Sequence, residues 1–109
     1  MDVYDFANYA KTFSNQKRLL KEKFETDLII FYNGGEFSAS TSRISYLNTI
    51  EHNTLSTIEI DDKGTPIRIS NIDEFLATLV KARNNALQSY FDAYEELKSN
   101  RSVQGLVNG

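Results

Sequence analysis

Residues 71–100, NIDEFLATLVKARNNALQSYFDAYEELKSN, read as one long amphipathic helix, and the rest of the chain reads as material that covers its apolar side. Asn71 is placed to cap the helix, with Glu74 three residues on as the returning partner of a capping box. Asp73 adds negative charge where the helix dipole is positive. Ile72, Leu76, Leu79, Ala86, Tyr90, Ala93 and Leu97 recur at steps of four and three, broken only at Arg83, and Val80, Leu87 and Tyr94 widen the stripe. Such a stripe organises a core and carries no chemistry of its own.

Upstream, Val3, Phe6, Ala10, Phe13, Leu20 and Phe24 repeat with the same spacing and predict a first long helix. Ser14 and Asn15 compete for backbone hydrogen bonds at its middle, so a kink or a break is the expectation there. At Asp27 the period changes. Leu28–Tyr32 is β-branched and aromatic, and Asn33-Gly34-Gly35 separates it from Glu36–Ser40, which predicts a hairpin whose glycines supply positive φ. A short helix follows from Arg43 to about His52, capped from the Ser40-Thr41-Ser42 run.

A second hairpin pairs Thr54–Ile60 with Pro66–Ile69 around Asp61–Thr65. Placing Ile60 opposite Ile67 and Ile58 opposite Ile69 collects four isoleucines on one face, whereas a slip of one residue sets Ile67 against Glu59. The apolar register is therefore the expected one. Each hairpin with its helix forms a unit, and the two align at an offset of 29, Gly35 with Gly64 and Phe31 with Ile60. The fold expected is α+β, in the order α-β-β-α-β-β-α: one domain over 1–100, a four-stranded antiparallel sheet with both long helices on one face, and a flexible tail over 101–109.

Composition narrows the function. The 109 residues suit one domain with a modest core, and the absence of cysteine excludes disulfides, thiolate metal sites and a cysteine nucleophile. A net charge of -3 argues against a nucleic-acid binder that works by bulk electrostatics. No apolar run approaches the roughly 18 residues of a membrane span, and Met1-Asp2-Val3-Tyr4-Asp5 is acidic where a signal peptide is basic, so a soluble, cytoplasmic protein is expected. His52, the one histidine, ends the short helix with nothing to select a nucleophile for it. Glu59, Asp61 and Asp62 flank Gly64, but an EF-hand aligned on that glycine would need Lys63 and Ser70 as ligands. No phosphate loop, dinucleotide fingerprint or zinc motif occurs; no catalytic, cofactor or metal residue is assigned, and a non-enzymatic role is expected.

Two surfaces remain. Leu87, Tyr90, Phe91, Tyr94 and Leu97 continue the apolar pattern where the helix outruns its cover: at about 1.5 Å per residue it reaches roughly 42 Å by Lys98, against a diameter of about 34 Å for a compact chain of this length. Protein partners or a homodimer are expected there, with Val103, Leu106 and Val107 of the tail as a further docking peptide. Lys17, Arg18, Lys21 and Lys23 make the first helix locally basic and are the candidate nucleic-acid contacts, although Glu22 and Glu25 are interleaved with them.

The turns Asn33-Gly34-Gly35 and Asp62-Lys63-Gly64-Thr65-Pro66-Ile67, together with the ending Arg101-Ser102-Val103 and Leu106-Val107, give a chain that resembles small uncharacterised proteins of T-even-like tailed bacteriophages of marine bacteria. The resemblance implies a phage accessory or virion-associated protein, in the host cytoplasm or the virion. It carries over no active residues.

Overall fold

A computed structural model describes residues 3–50 and 56–108, with side chains over 11–50 and 56–100. The elements follow the expected order: α1 (Val3–Asp27), β1 (Ile29–Tyr32), β2 (Gly35–Ser38), α2 (Thr41–Thr49), β3 (Thr57–Ile60), β4 (Pro66–Ile69) and α3 (Ile72–Asn108). They gather into two compact units, a helical one of Met1–Glu25 with Leu87–Gly109, and a hairpin unit of Thr26–Ala86.

Each hairpin forms its own two-stranded sheet, which corrects the expected four-stranded one. The reason lies at the outer edge of β2. There the Asp62 N–H donates to the Glu36 carbonyl at 2.8 Å, but the Glu36 N–H donates to the Asp61 carboxylate at 3.0 Å, and the Arg43 Nε takes the Ser38 carbonyl at 3.2 Å. Side chains occupy positions that a neighbouring strand would need, so the ladder ends after one backbone bond.

In the first hairpin Tyr32 pairs with Gly35, and the two-residue turn between them has positive φ at Asn33 (50°) and Gly34 (82°), the pattern of a primed turn. Gly35 is a glycine for another reason: a Cβ there would lie 2.8 Å from both Ile67 Cγ1 and Phe37 Cε2. Phe37 and Ala39 point inward and are fully buried, while Phe31 faces out.

The second hairpin takes the register the isoleucine argument rejects: Glu59 opposes Ile67, Ile58 opposes Arg68 and Ile60 opposes Pro66. Asp61 decides it. Its Oδ1 accepts from the N–H groups of Lys63 (3.0 Å) and Thr65 (2.8 Å), and its own N–H donates to the Thr65 carbonyl, closing a loop of residues 61–65 where the apolar register needs 61–66. Consequently Ile58 and Ile60 are more than half exposed, and Glu59 is 8% exposed. The repeat read from sequence therefore holds for element order but not for the turns, since Gly35 lies in a strand and Gly64 in a loop with φ 84°.

The hairpin unit's core joins Phe37, Ala39, Leu47, Ile69, Ile72, Phe75 and Leu79. Phe75 packs at 4.9 Å from the rings of both Tyr32 and Phe37. Ser40 caps α2 by accepting the Arg43 N–H, and Asn71 caps α3 by accepting the Glu74 N–H at 3.0 Å. The Glu74 side chain accepts the Tyr32 hydroxyl at 3.1 Å in place of closing a capping box, tying the helix start to β1. Helix boundaries differ from expectation: α2 spans Thr41–Thr49 instead of Arg43 to about His52, and α3 continues to Asn108 instead of ending near Asn100, because no proline intervenes and Gly105 alone costs about 1 kcal/mol relative to alanine. α1 shows no break at Ser14 and Asn15.

Candidate interaction surfaces

In the hairpin unit the acidic cluster is structural. The Arg43 guanidinium reaches Glu59 Oε2 (3.4 Å), Asp62 Oδ1 (3.1 Å) and the Ile60 carbonyl (3.4 Å) while lying 5.0 Å from the centre of the Phe37 ring. Asp62 also accepts the Ser38 hydroxyl at 2.6 Å. Burial pushes the Glu59 carboxyl above its ordinary range, opposed by the Arg43 charge. Asp61 moves the other way, held low by the N–H of Glu36 first and then by those of Thr65 and Lys63. The Tyr32 phenol is raised by burial and then by its bond to Glu74 and that group's charge. The carboxylates of Glu59, Asp61 and Asp62 are thus engaged with donors of the fold itself, and Glu59 and Asp61 are buried, not solvated. His52 lies outside the described residues.

In the helical unit α1 and the later part of α3 run antiparallel. Phe24 meets Tyr90 with ring centroids 5.1 Å apart, and Tyr90 in turn contacts Tyr94 at 6.4 Å. Farther along, Gln16, Leu19 and Leu20 of α1 face Ala93, Glu96, Leu97 and Asn100 of α3 across a groove of about 320 Å3. The five expected partner residues therefore divide. Tyr90, Tyr94 and Leu97 are half-buried: Tyr90 meets Phe24 of α1, Leu97 lines the groove with α1, and Tyr94 packs on Tyr90 within α3, whereas Leu87 is 43% and Phe91 62% exposed. At about 100° per residue Phe91 lies some 100° around α3 from Tyr90, which is why one helical neighbour does not cover both. The side chains of Val103, Leu106 and Val107 lie outside the described ones.

The candidate nucleic-acid residues are exposed but do not converge. Arg18 pairs with Glu22 at 2.8 Å, and the Lys17 ammonium sits 5.1 Å from the Phe13 ring centre. Lys17 and Lys21 share one flank, about 40° apart, but Arg18 lies about 100° and Lys23 about 240° around the helix from Lys17, so the four charges do not form one patch.

Leu19, 55% exposed, was legible in the sequence only as a residue off the main stripe of α1; the groove it edges depends on which residues of α3 stand opposite. Arg43 carried no sequence signal beyond its place after a cap. Ile58 and Ile60 were placed in the core by hydrophobicity, and they face outward because Asp61 sets the register. Among the described residues no helix is long and apolar enough to cross a membrane. No protein-family model, curated protein or solved structure matches this chain.

Proposed function

We propose that this chain is a non-enzymatic interaction or assembly protein that engages a protein partner through the outer face of α3, centred on Leu87 and Phe91. One observation carries the reading. Phe91 stands 62% exposed on a helix whose adjoining face, Tyr90, Ala93 and Leu97, is turned toward α1, and Leu87 lies one turn away on the same outer side. Large aromatic side chains flanked by polar residues, here Gln88, Asp92 and Glu95, are the usual anchors of protein interfaces. An accessory or virion-associated protein of a tailed phage, the role implied by the sequence resemblance, would use such a face to join a larger structure.

The test is site-specific photocrosslinking in cells that express the protein. A photoreactive residue at Phe91 should yield a discrete protein adduct, and the same residue at Thr12, exposed on α1, should not. No adduct from position 91 above the Thr12 control would end the reading.

A further inference from the structure

We infer that the partner of this face is a second copy of the chain, docked in parallel about a two-fold axis running along the helices, so that Leu87, Phe91 and Tyr94 meet their own counterparts. The inference rests on the interaction reading above and names its partner.

Three observations within the helical unit lead there. The first is spacing. Leu87, Phe91, Tyr94 and Lys98 follow at steps of four, three and four, the a/d repeat of a two-stranded seam, and this row is distinct from the Tyr90, Ala93 and Leu97 row that faces α1. Lys98 closes the row with its ammonium 5.8 Å from the Tyr94 ring centre.

The second is charge. Leu19 and Gln16 edge the groove on one flank of the helix pair, so the other flank of α1 carries Lys17 and Lys21, about 60° and 100° around from Leu20. That flank adjoins the Leu87–Phe91 row on one side. On the row's far side α3 carries Asp92 and Glu95, about 100° and 40° around from Phe91. A two-fold operation brings the basic flank of each copy against the acidic flank of the other, twice over, as an isologous interface requires.

The third is height, which selects the direction. With Phe24 level with Tyr90 in an antiparallel pair, Lys21 stands level with Ala93 and Lys17 with Leu97. In a parallel dimer equal residues share a height, so both lysines fall within about 3 Å, along the axis, of Glu95 on the second copy. An antiparallel dimer centred on Phe91 would set Lys17 level with residue 85, where residues 84–88 read Asn-Asn-Ala-Leu-Gln and hold no acid. The intrahelical bonds Gln88 to Asp92 (2.9 Å) and Lys98 to Glu95 (3.0 Å) are exposed and yield at little cost.

The chain's lack of cysteine makes the test direct. In the full-length protein Leu87→Cys and Tyr94→Cys should each form disulfide-linked dimers with themselves under mild oxidation, and Thr12→Cys should not. Sedimentation of the unmodified chain should show a mass rising from one copy toward two with concentration. Lys17→Glu with Lys21→Glu should raise the dissociation constant about tenfold, and adding Asp92→Lys and Glu95→Lys should restore it. A strict monomer, self-crosslinking at only one of positions 87 and 94, or charge reversal without rescue would overturn the inference. A monomer that still crosslinks through position 91 to a different protein overturns the dimer and leaves the interaction reading standing.

Discussion

Replacing Arg43 by methionine is the most informative perturbation of the hairpin unit. Methionine keeps the aliphatic stem against Phe37 and removes a guanidinium that bonds Ser38, Glu59, Ile60 and Asp62. Asp62 has water within reach, its side chain being 24% exposed, whereas Glu59 at 10% does not and would be left as an uncompensated buried carboxylate. Breaking one side of a buried pair costs about 3–5 kcal/mol. Because burial already pushes Glu59 toward its neutral form, part of that penalty is relieved by protonation, and about 3 kcal/mol is expected at pH 7. Urea denaturation followed by far-UV circular dichroism measures it. Glu59→Gln, which removes the charge and keeps an acceptor for Arg43, should cost less than about 1 kcal/mol, and Arg43→Met with Glu59→Leu should recover at least about 1 kcal/mol of the single-variant loss. If Arg43→Met costs under about 1 kcal/mol, or Glu59→Gln costs as much as Arg43→Met, the buried charge is not what the arginine answers.

Further outcomes follow from other sites. Gly34→Val and Gly64→Val place a β-branched residue at φ 82° and 84°, and each should lose about 1–3 kcal/mol, seen as a lower melting temperature; melts unchanged within a degree or so would contradict the turn assignments. Gly35→Ala should lose about 1–3 kcal/mol by crowding Ile67 and Phe37, and Gly35→Ala with Ile67→Val should recover part of it in the same melts. Stability should vary with pH in two opposite steps. Glu59, raised in the fold, binds its proton more tightly there than in the unfolded chain, so stability rises as pH falls from neutral through its elevated range; Asp61, lowered in the fold, contributes above the ordinary carboxylate pKa of about 3.9 and that contribution is lost as pH falls below it. Urea midpoints across pH 3–7 should show the first step vanish in Glu59→Gln and the second shrink in Asp61→Asn. Any DNA or RNA binding through Lys17, Arg18, Lys21 and Lys23 should be weak and fall steeply with salt; tight binding unaffected by salt, or by changing all four to alanine, would refute this.

The element order, the Asn71 cap, the Asn33-Gly34 turn and the core row of α3 were legible because each rests on local periodicity or turn chemistry. What sequence reasoning misplaced depends on residues distant in the chain. The register of β3 and β4 follows a loop that Asp61 organises with three backbone donors, one of them on Glu36, and hydrophobicity alone points to the opposite face. The separation of the two sheets has the same origin. On α3, periodicity located Leu87, Phe91, Tyr90 and Leu97 together, but only the position of α1 tells which of them it covers.

The joint between the hairpins has a kinetic consequence. Backbone ladders hold regardless of side-chain identity, but this joint hangs on the Asp61 carboxylate, the Ser38 hydroxyl, the Asn33 amide, the Arg43 guanidinium and the Lys63–Glu36 ion pair, with one main-chain bond among them. Parting it with both hairpins still zipped is a separate event from unravelling either hairpin, and should be the easier one. Two amides on one short stretch then report different events in hydrogen exchange: Glu36, bonded to Asp61, exchanges whenever the joint opens, and Ala39, bonded to the Leu28 carbonyl at 2.8 Å, exchanges only when the first hairpin itself unravels. The difference between their exchange free energies measures how independently the two hairpins breathe.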